Sequence, residues 1–357
     1  MGRHIINNIE TLINKVNYNY NKHFKYRLIN FDINDLYNIL STINEDYQVY
    51  LVIDYNHIDN YNSLKIYRET NNTDYLKMNL KYDINKNINS FCNVINKVNN
   101  IKYLIFKNYL NNESIDVFSE ALQNNNSIEF LDLSNNKYDY NFLNSVIDSY
   151  KHFNNYTSLI NSLSINKSLT SLDLSGNDFD NPNGLTEAII NNNSLINLNI
   201  SYTNLSAENI SNILSNCTNL SKLMLYNEYC KKYNYPINNN NINTIFDSLK
   251  NNTTLQSLSL DCTGIIDLNP LTSALINNNT LHSLYLYNIR ICCSDEEFIK
   301  SKNLKAIINL IENNNNINTL HINKLYCCDW RQSGGIYRKL LTEALNKNTT
   351  LTDLDYY

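Results

Sequence analysis

Apolar residues fall in a repeating order along most of this chain. In Phe118–Asn136, Phe118, Ala121 and Leu122 sit at i, i+3 and i+4, one stripe of a helix. Three asparagines follow, and then Ile128, Leu131 and Leu133 are spaced by three and two, which is strand-like. The same switch from helical to strand period returns downstream. The strand core L-x-x-L-x-L-x-x-N starts at Tyr75, Ile101, Ile128, Leu169, Leu195, Leu220, Leu255, Leu281, Ile317 and Leu351. Five of the steps between starts are 25 to 27 residues and four are 34 to 41. Ten residues before each start lies an apolar residue, for example Phe118, Leu185 and Ile245, and six before lies another, for example Leu122, Ile189 and Leu249. Tyr75 alone breaks this pattern, with Lys65 ten before it. Three residues before most starts stands asparagine, at 125, 166, 192, 252, 278, 314 and 348 among others. Its tolerance of the left-handed conformation suits the end of a helix.

One such unit cannot bury its own apolar face, whereas stacked units share a continuous core. The consensus (A/S)-L-x-x-N-x-(S/T)-L-x-x-L-x-L-x-x-N resembles the leucine-rich-repeat family, in its helix-containing, ribonuclease-inhibitor-like class. The resemblance runs from about Tyr75 to Tyr357. It implies an α/β leucine-rich-repeat solenoid, a horseshoe with a parallel concave sheet and convex helices, used for protein recognition. The strand-ending Asn is kept at Asn136 and Asn177 but replaced by Thr203, Glu228, Thr263, Ile289 and Leu325, a departure from regular curvature.

The expected organisation is residues 1–70 as a mostly helical N-terminal cap or degenerate repeats, and 71–357 as a solenoid of about ten units. Ile5–Val16 and Phe31–Ile43 read as helical, and Gln48–Tyr55 as a strand, a degraded first repeat on one reading. The longer units place extra residues after the strand, at 137–156, 228–243, 289–303 and 325–337, so one rim should carry the insertions. The last strand core, Leu351, Leu354 and Tyr356, leaves an edge open to self-association, with Asp353 and Asp355 blunting it.

Composition narrows the function. Asparagine makes up about a fifth of the chain, with Ile, Tyr and Lys abundant, the bias of an AT-rich genome. Net charge is −5, so no basic stripe is available to release counterions from nucleic acid. No apolar run has membrane-spanning length and no signal sequence opens the chain, which reads as cytoplasmic. Cys292, Cys293, Cys327 and Cys328 could neighbour one another, but adjacent cysteines are poor chelators, so neither metal nor cofactor is expected. The histidines are scattered, without nucleophile partners or phosphate-binding glycine motifs, and no enzyme activity is expected.

Alternation along the strands puts Tyr103, Phe130, Asp132, Asp173 and Asn199 on the concave side, together with Met224, Tyr226, Asp261, Tyr285, Tyr287 and His321. The last six form the candidate partner-binding patch, because tyrosine combines large area with a polar tip. The expected function is a non-enzymatic scaffold for another protein, through the concave face and adjoining rim. The alternatives are a GTPase-activator-like regulator, with Arg290 or Arg331 in a rim loop, or a ubiquitin-ligase substrate receptor.

Overall fold

The computed structural model describes residues 4–6, 25–31, 33–42, 49–56, 61–68, 75–80, 88–99, 101–107, 112–134, 156–226, 241–262, 265, 267–289, 301–323 and 334–356. Contacts divide the chain into two compact units, Met1–Leu195 and Ile196–Tyr357.

Among the described residues the second unit alternates strand and helix. Its strands are β9 (Asn197–Asn199), β10 (Lys222–Leu225), β11 (Ser257–Asp261), β12 (Ser283–Tyr287), β13 (Thr319–Asn323) and β14 (Asp353–Tyr356). They pair in sequence order, every pair parallel. The helices are α6 (Ala207–Asn216), α7 (Ile242–Asn251), α8 (Asn269–Leu275), α9 (Lys302–Asn313) and α10 (Gly334–Leu345). This is a leucine-rich-repeat solenoid, with a parallel sheet as one layer and helices as the other. Between the layers Leu198, Leu223, Leu258, Leu284 and Leu320 stand in one register row, each at most 2% exposed. Ile210, Ile245, Leu271, Ile307 and Leu341, the residues ten before each strand core, bury against them from the helix side. Each such leucine or isoleucine stabilises the stack by about 1.5–3 kcal/mol relative to exposure.

The first unit reaches the same pattern only after a different start. It contains β1 (His4–Ile6), β2 (Lys25–Phe31), α1 (Ile33–Thr42), β3 (Val49–Asn56), β4 (Tyr61–Arg68), β5 (Tyr75–Leu80), α2 (Ile88–Lys97), β6 (Ile101–Lys107), α3 (Asn112–Asn124), β7 (Phe130–Asp132), α4 (Thr157–Ile165), β8 (Ser171–Asp173) and α5 (Pro182–Asn191). The strand order is β1-β2-β5-β4-β3-β6-β7-β8. From β3 through β6, β7 and β8 the pairs are parallel, but β3/β4 and β4/β5 are antiparallel.

Two expectations change here. Tyr75 and Ile101 are not adjacent steps, because β6 pairs with β3 and not with β5. The reason lies in residues 61–68, where the apolar Leu64 and Ile66 alternate with Ser63, Lys65 and Tyr67 at period two. Residues 1–70, expected as a mostly helical cap or degenerate repeats, contribute four strands and one helix among those described; residues 7–16 of the expected Ile5–Val16 helix lie outside them.

The asparagine before each strand closes its helix by hydrogen bonding. Asn278 is 5% exposed. Its Nδ2 donates to the carbonyls of Leu249 and Asn252 in the preceding repeat, at 3.0 Å each. Its Oδ1 accepts from the backbone N–H of Thr280 and Leu281 at 3.0 and 2.8 Å. Asn166 and Asn192 do the same in the first unit. The expected left-handed backbone is absent at the four of these positions whose cap dihedrals are defined: φ is −58° at Asn166, −80° at Asn192, −73° at Asn252 and −92° at Asn314, with ψ near the extended range. Side-chain reach, not backbone permissiveness, selects asparagine.

Helix starts follow local chemistry too. Ser206 and Asn209 form a reciprocal capping box on α6. Asn181 caps α5 through the Gly184 N–H at 2.9 Å, with Pro182 in its first turn. A Cβ on Gly184 would lie 2.8 Å from the Asn181 Cγ, so the cap needs glycine there.

Candidate functional site

All six candidate residues belong to the second unit, and strand register sorts them into two rows on one face. Met224, Ser259, Tyr285, His321 and Asp355 are partners across β10 to β14. Two residues further along, Asp261, Tyr287 and Asn323 form the next row. Tyr226 follows β10 directly, its N–H donating to the Ser201 Oγ at 2.8 Å and its carbonyl accepting from the Tyr202 N–H at 2.9 Å.

The rings then join the rows. Tyr226 and Tyr287 come from strands on either side of β11, roughly 9.6 Å apart at the backbone. Their ring centroids nonetheless lie 4.8 Å apart at 78°, edge to face, so they lean together over the position of Asp261. Asp261 is accordingly only 5% exposed. Its Oδ2 accepts from the Asn288 Nδ2 at 2.9 Å. Asn288 turns the chain at φ 56°, a conformation asparagine tolerates, and its N–H donates to the Asn323 carbonyl at 3.0 Å. Burial first, and the neighbouring Tyr226 hydroxyl second, push the Tyr287 hydroxyl above the ordinary tyrosine range.

A second pair lies beside the first. Tyr285 and His321 stack edge to face at 4.9 Å, and the His321 Nε2 is 3.0 Å from the Asp353 Oδ2. Met224 is 38% exposed in the same row. The sequence pattern placed Asp353 and Asp355 at the edge strand and read them as guards of that edge. Their register shows that they also continue the patch, a fact that the alternation of LTDLDYY already contained.

The corresponding positions in the first unit are partly committed to structure. Tyr103 and Phe130 have rings 5.7 Å apart. Asp132 and Asp173 accept the backbone N–H of Ser134 and Ser175, at 2.9 Å each, and so shape the turns that leave their strands.

Among the described residues no three His, Cys, Asp or Glu side chains are grouped to hold a metal ion. Cys292, Cys293, Cys327 and Cys328 lie outside the described residues, as do Arg290, Arg331 and most of the four rim insertions. Burial pushes the Cys92 thiol up to about 12, with Glu120 adding to the effect, and pushes the fully buried Cys262 thiol up as well, with Asp261 second. Neither is poised as a nucleophile. Among the described residues no helix is long and apolar enough to cross a membrane.

No family model matches the chain, and no curated protein matches it in sequence. Solved structures similar to it include leiomodin-1 actin-binding site 2, at 20% identity over 50% of this chain and 79% of that one, TM-score 0.30. Another is the complex of Rad7 and Elc1 in yeast, at 14% identity over 76% and 73%, TM-score 0.36. A third is the TLR13–ssRNA13 complex, at 16% identity over 75% of this chain, which spans 33% of that one, TM-score 0.34.

Proposed function

We propose that this chain is a non-enzymatic, cytoplasmic leucine-rich-repeat protein, of the ribonuclease-inhibitor-like class, that binds another protein through the sheet face of residues 196–357. The observation that carries the reading is the continuity of the patch. Met224, Tyr226, Asp261, Tyr285, Tyr287 and His321 meet on one face, with rings in contact across strands. Rings held by one another lose little conformational freedom on binding, and buried aromatic anchors carry most of the energy of an interface. The net charge of −5 favours a protein over a nucleic-acid partner.

The test compares wild type with a Tyr226→Ala/Tyr285→Ala/Tyr287→Ala variant, checked for folding by circular dichroism, as baits in extract of the cell that makes the protein. Partners of the wild type should bind the variant more than about tenfold more weakly. Partners held equally by both baits would place recognition elsewhere, on the rim or in the first unit. Recovery of this chain alone would favour self-association through the β14 edge.

A further inference from the structure

We infer that the partner presents a cationic side chain, an arginine, to this face, received on the rings of Tyr285 and Tyr287 and by the carboxylate of Asp355. The inference rests on the binding face proposed above and specifies what that face recognises.

Charge complementarity carries it. The outward positions of β10 to β14 hold three carboxylates, Asp261, Asp353 and Asp355, against one lysine, Lys222. The remaining outward positions are Ser, Thr and Asn, apart from the rings and Met224. Lys222 and Asp353 share a register row but sit on β10 and β14, four strands and roughly 19 Å apart. Lys222 therefore does not neutralise the β12–β14 side, where the rings and the carboxylates are. Asp353 is already engaged by His321, at 3.0 Å, while Asp355 continues the row of Tyr285 and His321.

The faces of tyrosine rings add negative potential of their own, and a cation over such a ring is attracted by its quadrupole. An acidic segment would meet the carboxylates of Asp353 and Asp355, with Asp261 buried beneath the rings. A purely apolar segment would strip water from them without return. A guanidinium suits this surface better than an ammonium, because its plane stacks on a ring while its edge donates to a carboxylate in a paired geometry. From Tyr285 to Asp355 is two strand spacings, roughly 9.6 Å. The arginine stem can cover apolar ring surface over that span while its head stays polar.

The test selects a displayed library of random short peptides on the full chain. Binding of the enriched peptide is then measured with each arginine replaced by citrulline, its neutral isostere. Enriched peptides should carry arginine, and the citrulline form should bind about tenfold more weakly. Asp355→Asn and Tyr285→Leu should each weaken the arginine peptide several-fold and leave the citrulline peptide unchanged. Asp355 is only half-buried, so its variant guards against misfolding as an explanation. Peptides that are lost on the triple tyrosine variant but tolerate citrulline would overturn the cation and leave the binding face standing. Peptides that bind the triple variant undiminished would overturn both. A library without enrichment, or with lysine in place of arginine, would overturn the guanidinium assignment.

Discussion

Asn277, Asn278 and Asn279 are chemically identical neighbours with unequal roles. Only Asn278 is buried, and it alone spans two repeats with four hydrogen bonds. Replacing it by alanine leaves the N–H groups of Thr280 and Leu281 without their acceptor and takes one of two donors from each of the Leu249 and Asn252 carbonyls. Asn278→Ala should lower stability by about 2–4 kcal/mol in chemical denaturation, and Asn277→Ala and Asn279→Ala by no more than about 0.5 kcal/mol. Glycine separates the two explanations of this position. If a left-handed backbone were needed, Asn278→Gly would be tolerated; because the amide does the bonding, it should cost at least as much as alanine. The recurrence of asparagine was plain in the sequence, but its cause was not. Periodicity reports where a residue recurs, whereas the carbonyls that its Nδ2 reaches lie 26 and 29 positions earlier and come within reach only once the repeats stack.

At the scale of elements, the leucine rows were the most legible feature. Leu223, Leu258, Leu284 and Leu320 fall in register as the L-x-x-L-x-L spacing requires. Each inner leucine is gripped from both sides, whereas Leu354 on β14 pairs with β13 and is only half-buried. Leu258→Ala should therefore cost about 2–5 kcal/mol and Leu354→Ala less than half of that, measured by the midpoint of urea unfolding. The meander of β3, β4 and β5 was less legible. Its warnings were Lys65 and Glu69, charges where every other unit has apolar residues ten and six before its strand. Strand pairing order is a non-local choice, so a repeat count taken from spacing counted Tyr75 as the neighbour of Ile101. The ring pairs were out of reach for the same reason: alternation put Tyr226 and Tyr287 on one face, but only the folded sheet shows them meeting over Asp261.

Across the whole molecule, the pattern of bonds from each repeat to the one before it makes stability a sum of neighbour terms. Six of the capping residues, Asn125, Asn166, Asn192, Asn252, Asn278 and Asn348, are followed two positions on by Ser or Thr, whose hydroxyl hydrogen-bonds the cap's side-chain amide. The motif that closes these helices therefore also spells Asn-x-Ser/Thr, the acceptor for N-linked glycans. Once the chain has folded, those amide nitrogens face carbonyls and leave no room for a sugar. A transferase that reached the chain before folding would load glycans onto the atoms that join one repeat to the next. Fused to a secretion signal, the protein should accumulate as a glycosylated, protease-sensitive chain, and blocking glycan transfer should restore its protease resistance. A glycan at any of these asparagines and the bonds that join its repeat to the one before are thus mutually exclusive.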